Sequence, residues 1–285
     1  MKRFDDIHWR DGSRLFPHMM LLIWLIATGW AASCRDGDRD VALAKVRTLM
    51  DSAKREHDNN NILASFDILA EAREISNKNG FTEEYVACLN MLTRLYAYID
   101  DFEEAIQLNR EAYEISEACR DSVSIMRALN NRGVIAGMKG NQVESGKIFR
   151  RLHVLSVGLD DSVMSLTAMR NLAAIELNLG NYAKSLCLID TILRDFHPSV
   201  NDDVYWELRN LEASVYQETD NLDKAVAIYD TIMRLAPESS ILRPEIARKR
   251  ALMEARAGDR LTALELLEKA RVSSDPISRY FLYNQ

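Results

Sequence analysis

Chain breakers are scarce here. Five prolines and eleven glycines in 285 residues leave few obligatory interruptions, and with Ala, Leu, Glu and Arg abundant the composition points to helices throughout. Long hydrophobic runs are also few. From Cys34 to Gln285 no stretch is long and apolar enough to span a bilayer, which excludes a second membrane segment in those residues. Basic charge is in deficit: 36 Lys and Arg against 43 Asp and Glu, a net charge of −7. An acidic surface disfavours nucleic acid, where basic patches supply most of the affinity, and anionic lipids would not reinforce a membrane anchor.

Motifs that carry chemistry are missing as well. His8, His18, His57, His153 and His197 are scattered, and none falls into metal-ligand spacing with a carboxylate or cysteine. H-E-x-x-H and G-x-S-x-G are absent. The segment from Gly140 to Lys147 resembles a phosphate-binding loop only superficially: its glycines are one residue too far apart, no Ser or Thr follows Lys147, and it coincides with a repeat turn. The paired acids Glu103-Glu104 and Asp160-Asp161 stand at helix starts, where negative charge complements the helix dipole. The sequence therefore predicts no catalytic centre, no metal and no cofactor.

What is present is a period. A small residue recurs at Ser65, Ala105, Ser145, Ser185 and Ala225, every fortieth position, with Ala263 two residues early. Five residues before each lies a breaker: Asn60, Asp100, Gly140, Gly180, Asp220 and Gly258. Twelve before each is a second small residue: Ala53, Thr93, Gly133, Ala173, Ala213 and Ala251. Four after comes a large apolar residue at Leu69, Phe149, Ile189, Tyr229 and Leu267, with Asn109 the exception. Each unit reads as two amphipathic helices around a tight turn. Gly, Asn and Asp are the residues that accept a left-handed conformation at least cost. Asn61, Asn141, Asn181 and Asn221 follow the breakers and suit the N-cap of the second helix, while Asp121 and Asp161 read as caps of first helices. Self-similarity at this period is the mark of an array in which each unit buries its apolar face against its neighbours.

The stretch from Tyr216 through Ala225 and Tyr229 to Pro237 resembles the tetratricopeptide repeat nearly position for position: aromatic, turn, small residue, aromatic, closing proline. Leu129 to Gly140 and Asn171 to Tyr182 resemble the first helix and turn of the same motif. The resemblance departs at Glu56, which replaces an aromatic, and at Arg132, which replaces the usual leucine. A typical repeat has about 34 residues, so the longer period implies longer helices or longer connections. The resemblance implies an all-α, right-handed α-solenoid of about six helical hairpins over residues 41–272, closed by a short C-terminal cap at 273–285. Asp275-Pro276 would start that cap, with proline at the first helical position.

The N-terminus carries Lys2, Arg3, Arg10 and Arg14, then an apolar run from Met19 to Ser33, then Cys34. Such a run is too short for an ordinary spanning helix and fits a secretory h-region. Ala31-Ala32-Ser33-Cys34 resembles a bacterial lipobox, whose cysteine is lipidated and becomes the mature N-terminus. Residues 1–33 are thus expected as a lipoprotein-type signal peptide. An uncleaved anchor or an ordinary signal peptide is the competing reading, and both export the chain; initiation at Met19 or Met20 would remove the basic region. Residues 34–40, with no apolar side chain after Cys34, read as a polar tether. Of the other cysteines, Cys88, Cys119 and Cys187 are expected as small buried hydrophobes, a Cys88–Cys119 bridge being the alternative.

In the resembled family the first helices line a concave groove for an extended peptide or partner helix. Counting back fifteen residues from each small residue gives Asn90, Asn130, Arg170, Asn210 and Arg248, a polar ladder with the period of the repeat, and Arg94 lies one turn beyond Asn90. Asparagine both donates to and accepts from a peptide backbone, and arginine grips a carboxylate with two parallel bonds. These six residues are the expected contacts. The functional expectation is a non-enzymatic, exported and lipid-anchored scaffold at the bacterial cell envelope that binds a protein or peptide partner. The alternative is a relative of sensor ectodomains that acts through a separate membrane kinase or regulator.

Overall fold

A computed structural model describes residues 15–59, 61–199, 202–237 and 242–273. They form twelve helices: α1 (Leu15–Asp58), α2 (Ile62–Asn79), α3 (Thr82–Tyr98), α4 (Phe102–Cys119), α5 (Ser122–Met138), α6 (Gln142–Gly158), α7 (Ser162–Asn178), α8 (Tyr182–Asp195), α9 (Asp203–Glu218), α10 (Leu222–Leu235), α11 (Leu242–Ala257) and α12 (Arg260–Ser273). No strand occurs among the described residues. The expected C-terminal cap beyond Ser273 and residues 1–14 of the expected signal peptide lie outside them. Through residue 36, Cys34 included, only the backbone path of α1 is described. Among the described residues no helix is long and apolar enough to cross a membrane.

The turns fall where the period puts them. Asp100, Gly140, Gly180, Asp220 and Gly258 have φ of 61, 79, 75, 58 and 92°, so each described breaker turns the chain through the left-handed region as its residue type allows. Gly80, Arg120 and Asp160, with φ of 67, 57 and 55°, do the same between units. α3 to α7 are 17 or 18 residues long, so the excess over a typical repeat lies in the helices. α8 and α10 shorten to 14 residues, and there longer connections follow.

Side chains explain the two small positions of each unit. Ser65 Oγ donates to the Ala53 carbonyl at 2.9 Å, Ser145 Oγ to Gly133 at 2.7 Å and Ser185 Oγ to Ala173 at 2.8 Å. The twelve-residue spacing is thus the close crossing of the two helices of a hairpin. Only small residues let the backbones approach that far, and the hydroxyl stays satisfied though buried. Asn109 breaks the apolar pattern because its Nδ2 donates to the Ala128 carbonyl at 2.9 Å from a buried position.

The caps divide. Asp121 accepts from the Val123 and Ser124 amides, Asp161 from Met164, and Asn141 from Glu144. Asn61, Asn181 and Asn221 make no side-chain cap, contrary to the expectation. Asn61 and Asn181 instead donate to Glu56 and Glu176, five residues back, at 2.9 and 2.8 Å. At Asn141 the residue five back is Ala136 and the cap forms, whereas at Asn221 it is Tyr216 and no side-chain cap forms either.

The chain divides between Cys88 and Leu89, inside α3, into two compact units. In the N-terminal unit α1 packs on α2 around Val46, Ala53, Leu69, Ala72, Phe81 and Val86. Arg47 grips Glu84 through Nε and Nη2 at 3.0 and 2.8 Å. Residues 37–40, expected as a tether, lie exposed within α1, and Arg39 stands 5.4 Å over the Phe81 ring. The C-terminal unit is a run of consecutively packed helices whose core passes from one hairpin to the next. Met126, Phe149, Leu152 and Leu172 join α5, α6 and α7; Met169, Ile189 and Leu208 join α7, α8 and α9; Trp206, Tyr229 and Ile246 join α9, α10 and α11. Such overlapping clusters are how an array stabilises units that cannot bury a face alone. Leu267, the large apolar residue four after Ala263, is 41% exposed, and Leu261 and Leu264 are more so. Cys88 is buried, whereas Cys119 and Cys187 are exposed and all three are free thiols, which corrects the expectation of uniformly buried cysteines.

Candidate functional site

In the C-terminal unit the first helices α5, α7, α9 and α11 touch successively, so residues at the same repeat position form a strip. Between α7, α9 and α11 this strip bounds a groove of about 870 Å³. Arg170 and Asn210, two of the sequence-predicted residues, line it, and Glu207, Ser214, Glu245 and Lys249 join them.

The groove is polar, and its charges meet across helices. Arg170 on α7 pairs with Glu207 on α9. Lys249 Nζ on α11 donates to Asn210 Oδ1 at 3.0 Å and to Ser214 Oγ at 3.1 Å on α9, and pairs with Glu245 at 2.8 Å on its own helix. It also stands 5.9 Å over the Tyr229 ring. The Tyr229 hydroxyl reaches Ser214 Oγ at 3.4 Å and donates to Gln217 at 3.3 Å. Burial pushes the Glu245 carboxyl up, but the Lys249 charge, hydrogen bonds from Lys249 and Asn210, and the Arg248 charge outweigh burial and hold it below the usual carboxylate range. Glu245 is therefore ionised at neutral pH. Burial, with a smaller contribution from Glu245 and Glu218, pushes the Tyr229 hydroxyl upward against the opposing Ser214 bond, so Tyr229 stays a neutral donor.

The other predicted residues sit apart from this groove. Asn90 is 6% exposed, and its carbonyl and Oδ1 accept from Asn131 Nδ2 at 3.1 and 3.2 Å. Asn90 Nδ2 and Asn130 Oδ1 are buried without a hydrogen-bond partner. Arg94 is exposed. Arg248 is half-buried and acts on Glu245 through its charge, while Lys249 reaches the groove. Counting fifteen back from Ala263 lands on Arg248, one residue and about 100° of helix turn from the lining residue Lys249. Glu207 was legible only as an acid thirty-seven positions from Arg170, a pairing invisible without the helix contact. Among the described residues no group of His, Cys, Asp and Glu is placed to hold a metal ion.

No protein-family model matches the chain, and no curated protein matches it in sequence. Solved structures match its fold. NprR in complex with its cognate peptide NprX aligns over 98% of this chain and 85% of its own, at 14% identity and TM-score 0.65. A Rap protein complexed with Competence and Sporulation Factor aligns over 81% of this chain at 16% identity and TM-score 0.65, and this chain spans 64% of that protein. The Rap conjugation gene regulator of the plasmid pLS20, in complex with the Phr* peptide, aligns over 84% of this chain and 76% of its own, at 13% identity and TM-score 0.60. Identities this low speak for the fold alone. The chain has the tetratricopeptide-type helical-repeat fold.

Proposed function

We propose that this protein is an interaction scaffold that binds a peptide or protein segment in the groove between α7, α9 and α11. The observation that carries the reading is the strip of Arg170, Glu207, Asn210, Lys249 and Glu245 along the wall of one open groove. It offers donors and acceptors of both signs at repeat spacing, which suits an extended backbone with polar side chains. Each charge is already neutralised by a neighbour, so a ligand exchanges one set of pairs for another and the free groove stays soluble. The fold is shared with proteins solved in complex with the NprX and Phr* peptides, which supports a peptide as occupant.

Peptides selected from a random dodecamer phage library on the full chain, then labelled with fluorescein, test the reading. Their affinity falls at least about tenfold, or ~1.4 kcal/mol, in Lys249→Ala and in Asn210→Ala, and holds in Lys224→Ala, where the lysine lies over Tyr216 instead. Equal affinity across all four proteins would refute the groove.

The same proposal places the scaffold at the bacterial cell envelope, held by lipid on Cys34. The support is the basic start, the short apolar run and the Ala-Ala-Ser-Cys sequence ending at Cys34. Radiolabelled palmitate enters the protein in this case, the label is lost in Cys34→Ala, and globomycin blocks processing. Labelling retained in the Ala variant would remove the anchor and leave the groove untouched.

A further inference from the structure

A second cavity, of about 630 Å³, opens between α4 and α6 over α5, and it shares no residue with the groove. Ile106, Ile135 and Ile148 give it an apolar floor, and Arg110, Arg132 and Lys139 stand on its walls. Arg132 holds a position that the two adjoining units give to a core leucine. Forty residues to either side are Leu92 and Leu172, 4% and 6% exposed, whereas Arg132 is exposed. A cation in place of a leucine turns away from the apolar floor and leaves space that close-packed interiors ordinarily fill.

The walls carry uncommitted positive charge. Arg110, Arg132 and Lys139 make no ion pair or side-chain hydrogen bond among the described residues. Of the carboxylates facing them, Glu117 accepts from the Tyr113 hydroxyl at 2.6 Å, Glu144 faces Lys147 at 3.6 Å, and Glu114 alone is without a partner among the described residues. Tyr113 also accepts from Arg151 at 3.0 Å, which links α4 to α6 beside the cavity. Three free cations against one free carboxylate stand out on a chain whose net charge is −7.

We infer that this cavity is a second binding site, for an acidic peptide segment that carries apolar residues between its carboxylates. Arg132 and Lys139 are two helical turns apart, about 10 Å along α5. On a polyproline-II backbone, residues i and i+3 face the same way about 9 Å apart. Two carboxylates at that spacing meet Arg132 and Lys139 together, Arg110 adds a charge from α4, and an intervening apolar side chain covers the isoleucine floor. The volume lies within the range of about 300–1,000 Å³ usual for ligand sites. Guanidinium groups engage carboxylates through two parallel bonds, so the arginines fix the direction of the segment.

The test uses the full chain and two fluorescein-labelled peptides, Gly-Ser-Glu-Leu-Leu-Glu-Gly-Ser and the same sequence with both Glu replaced by Lys, read by fluorescence polarisation. The acidic peptide binds, the basic one does not, and added salt weakens the complex. Arg132→Leu restores the residue type found at 92 and 172, keeps or raises the melting temperature, and weakens binding at least about tenfold. The exposed pair Arg110→Ala plus Lys139→Ala, which leaves the core intact, does the same. Glu207→Gln, in the other groove, leaves this binding unchanged. The inference is overturned if the acidic peptide fails to bind the wild-type chain, if both peptides bind alike, or if Arg132→Leu binds as the wild type does. Loss of the acidic peptide in Glu207→Gln alone would assign it to the first groove and overturn this site as well.

Discussion

Gly133 and Gly146 invite the same substitution with opposite results. Gly133 sits on α5 where Phe149 of α6 crosses it; a Cβ there would lie 2.8 Å from Cε2 and Cζ of the ring and 3.1 Å from Cδ2. Carbon atoms pack favourably at about 3.5–4.0 Å, so something must move. Phe149 is 1% exposed and packed among Met126, Leu129, Leu152 and Leu172, which leaves the ring no open side. Overpacking of this kind costs about 1–3 kcal/mol, and alanine returns about 1 kcal/mol through helix propensity. Gly133→Ala is therefore expected to destabilise by up to about 2 kcal/mol. At Gly146 the nearest atoms would be Arg150 Nη2 at 3.4 Å and Ile175 Cγ2 at 3.5 Å, ordinary contacts, so Gly146→Ala keeps the propensity gain of up to about 1 kcal/mol. Urea unfolding followed by far-UV circular dichroism reads both, with about 2–4 °C of melting temperature per kcal/mol as an independent check. Adding Phe149→Leu to Gly133→Ala relieves the clash, so the double variant loses less than the sum of the two. Gly133→Ala more stable than wild type, or both alanines moving stability in one direction, would refute the crossing geometry.

Other outcomes follow from single side chains. Arg120 closes α4 at φ 57°, a conformation that favours glycine, and Arg120→Gly is expected to raise stability by up to about 1 kcal/mol in the same unfolding assay. Asp121 caps α5, and hydrogen bonds from Ser124, with the Val123 amide and the Arg127 charge, hold its carboxyl below the usual carboxylate range. Its contribution is present above the ordinary Asp value and is lost as pH falls through the folded value. Asp121→Ala should therefore cost about 1 kcal/mol at neutral pH, and the gap between the two melting curves should close toward pH 2. Ser185→Ala removes the bond to Ala173 and is expected to cost no more than about 1 kcal/mol, since Ala105 and Ala225 fill the same position elsewhere; a larger loss in melting temperature would contradict that equivalence. In a Cys34→Ala background, Ellman's reagent should titrate Cys119 and Cys187 in the native protein and Cys88 only after unfolding. Burial pushes the Cys88 thiol up to about 12, and the other two are exposed.

The parts of the molecule legible in the sequence are those that depend on backbone geometry repeated at short range. A left-handed turn needs Gly, Asn or Asp, and a close helix crossing needs a small residue on each side. Asp220 and the pair Ser185 and Ala173 could therefore be read from position alone. The N-caps show the limit of local reading. Asn141 and Asn181 look alike in sequence, yet a glutamate five residues back claims the Asn181 amide. The candidate groove was half legible: Arg170 and Asn210 fall on the ladder, whereas Glu207 and Lys249 enter only because α7, α9 and α11 touch. Asn109 and Arg132 read as irregularities in the pattern. In the structure the first satisfies the Ala128 carbonyl, and the second stands on the wall of a cavity.

The sequence by itself determined the class of fold and the period of its turns, because helix propensity, left-handed conformations and small-residue crossings act over at most some twenty residues. Only the tertiary structure decided which charges are spent on one another and which stay free. Arg170 is neutralised by Glu207, nearly a full repeat away, and Lys249, whose charge Glu245 balances on its own helix, is held across the groove by Asn210, while Arg110, Arg132 and Lys139 have no such partner among the described residues. Pair energies fall off within a few ångströms in water, so that distinction rests on packing distances between helices that no local pattern encodes.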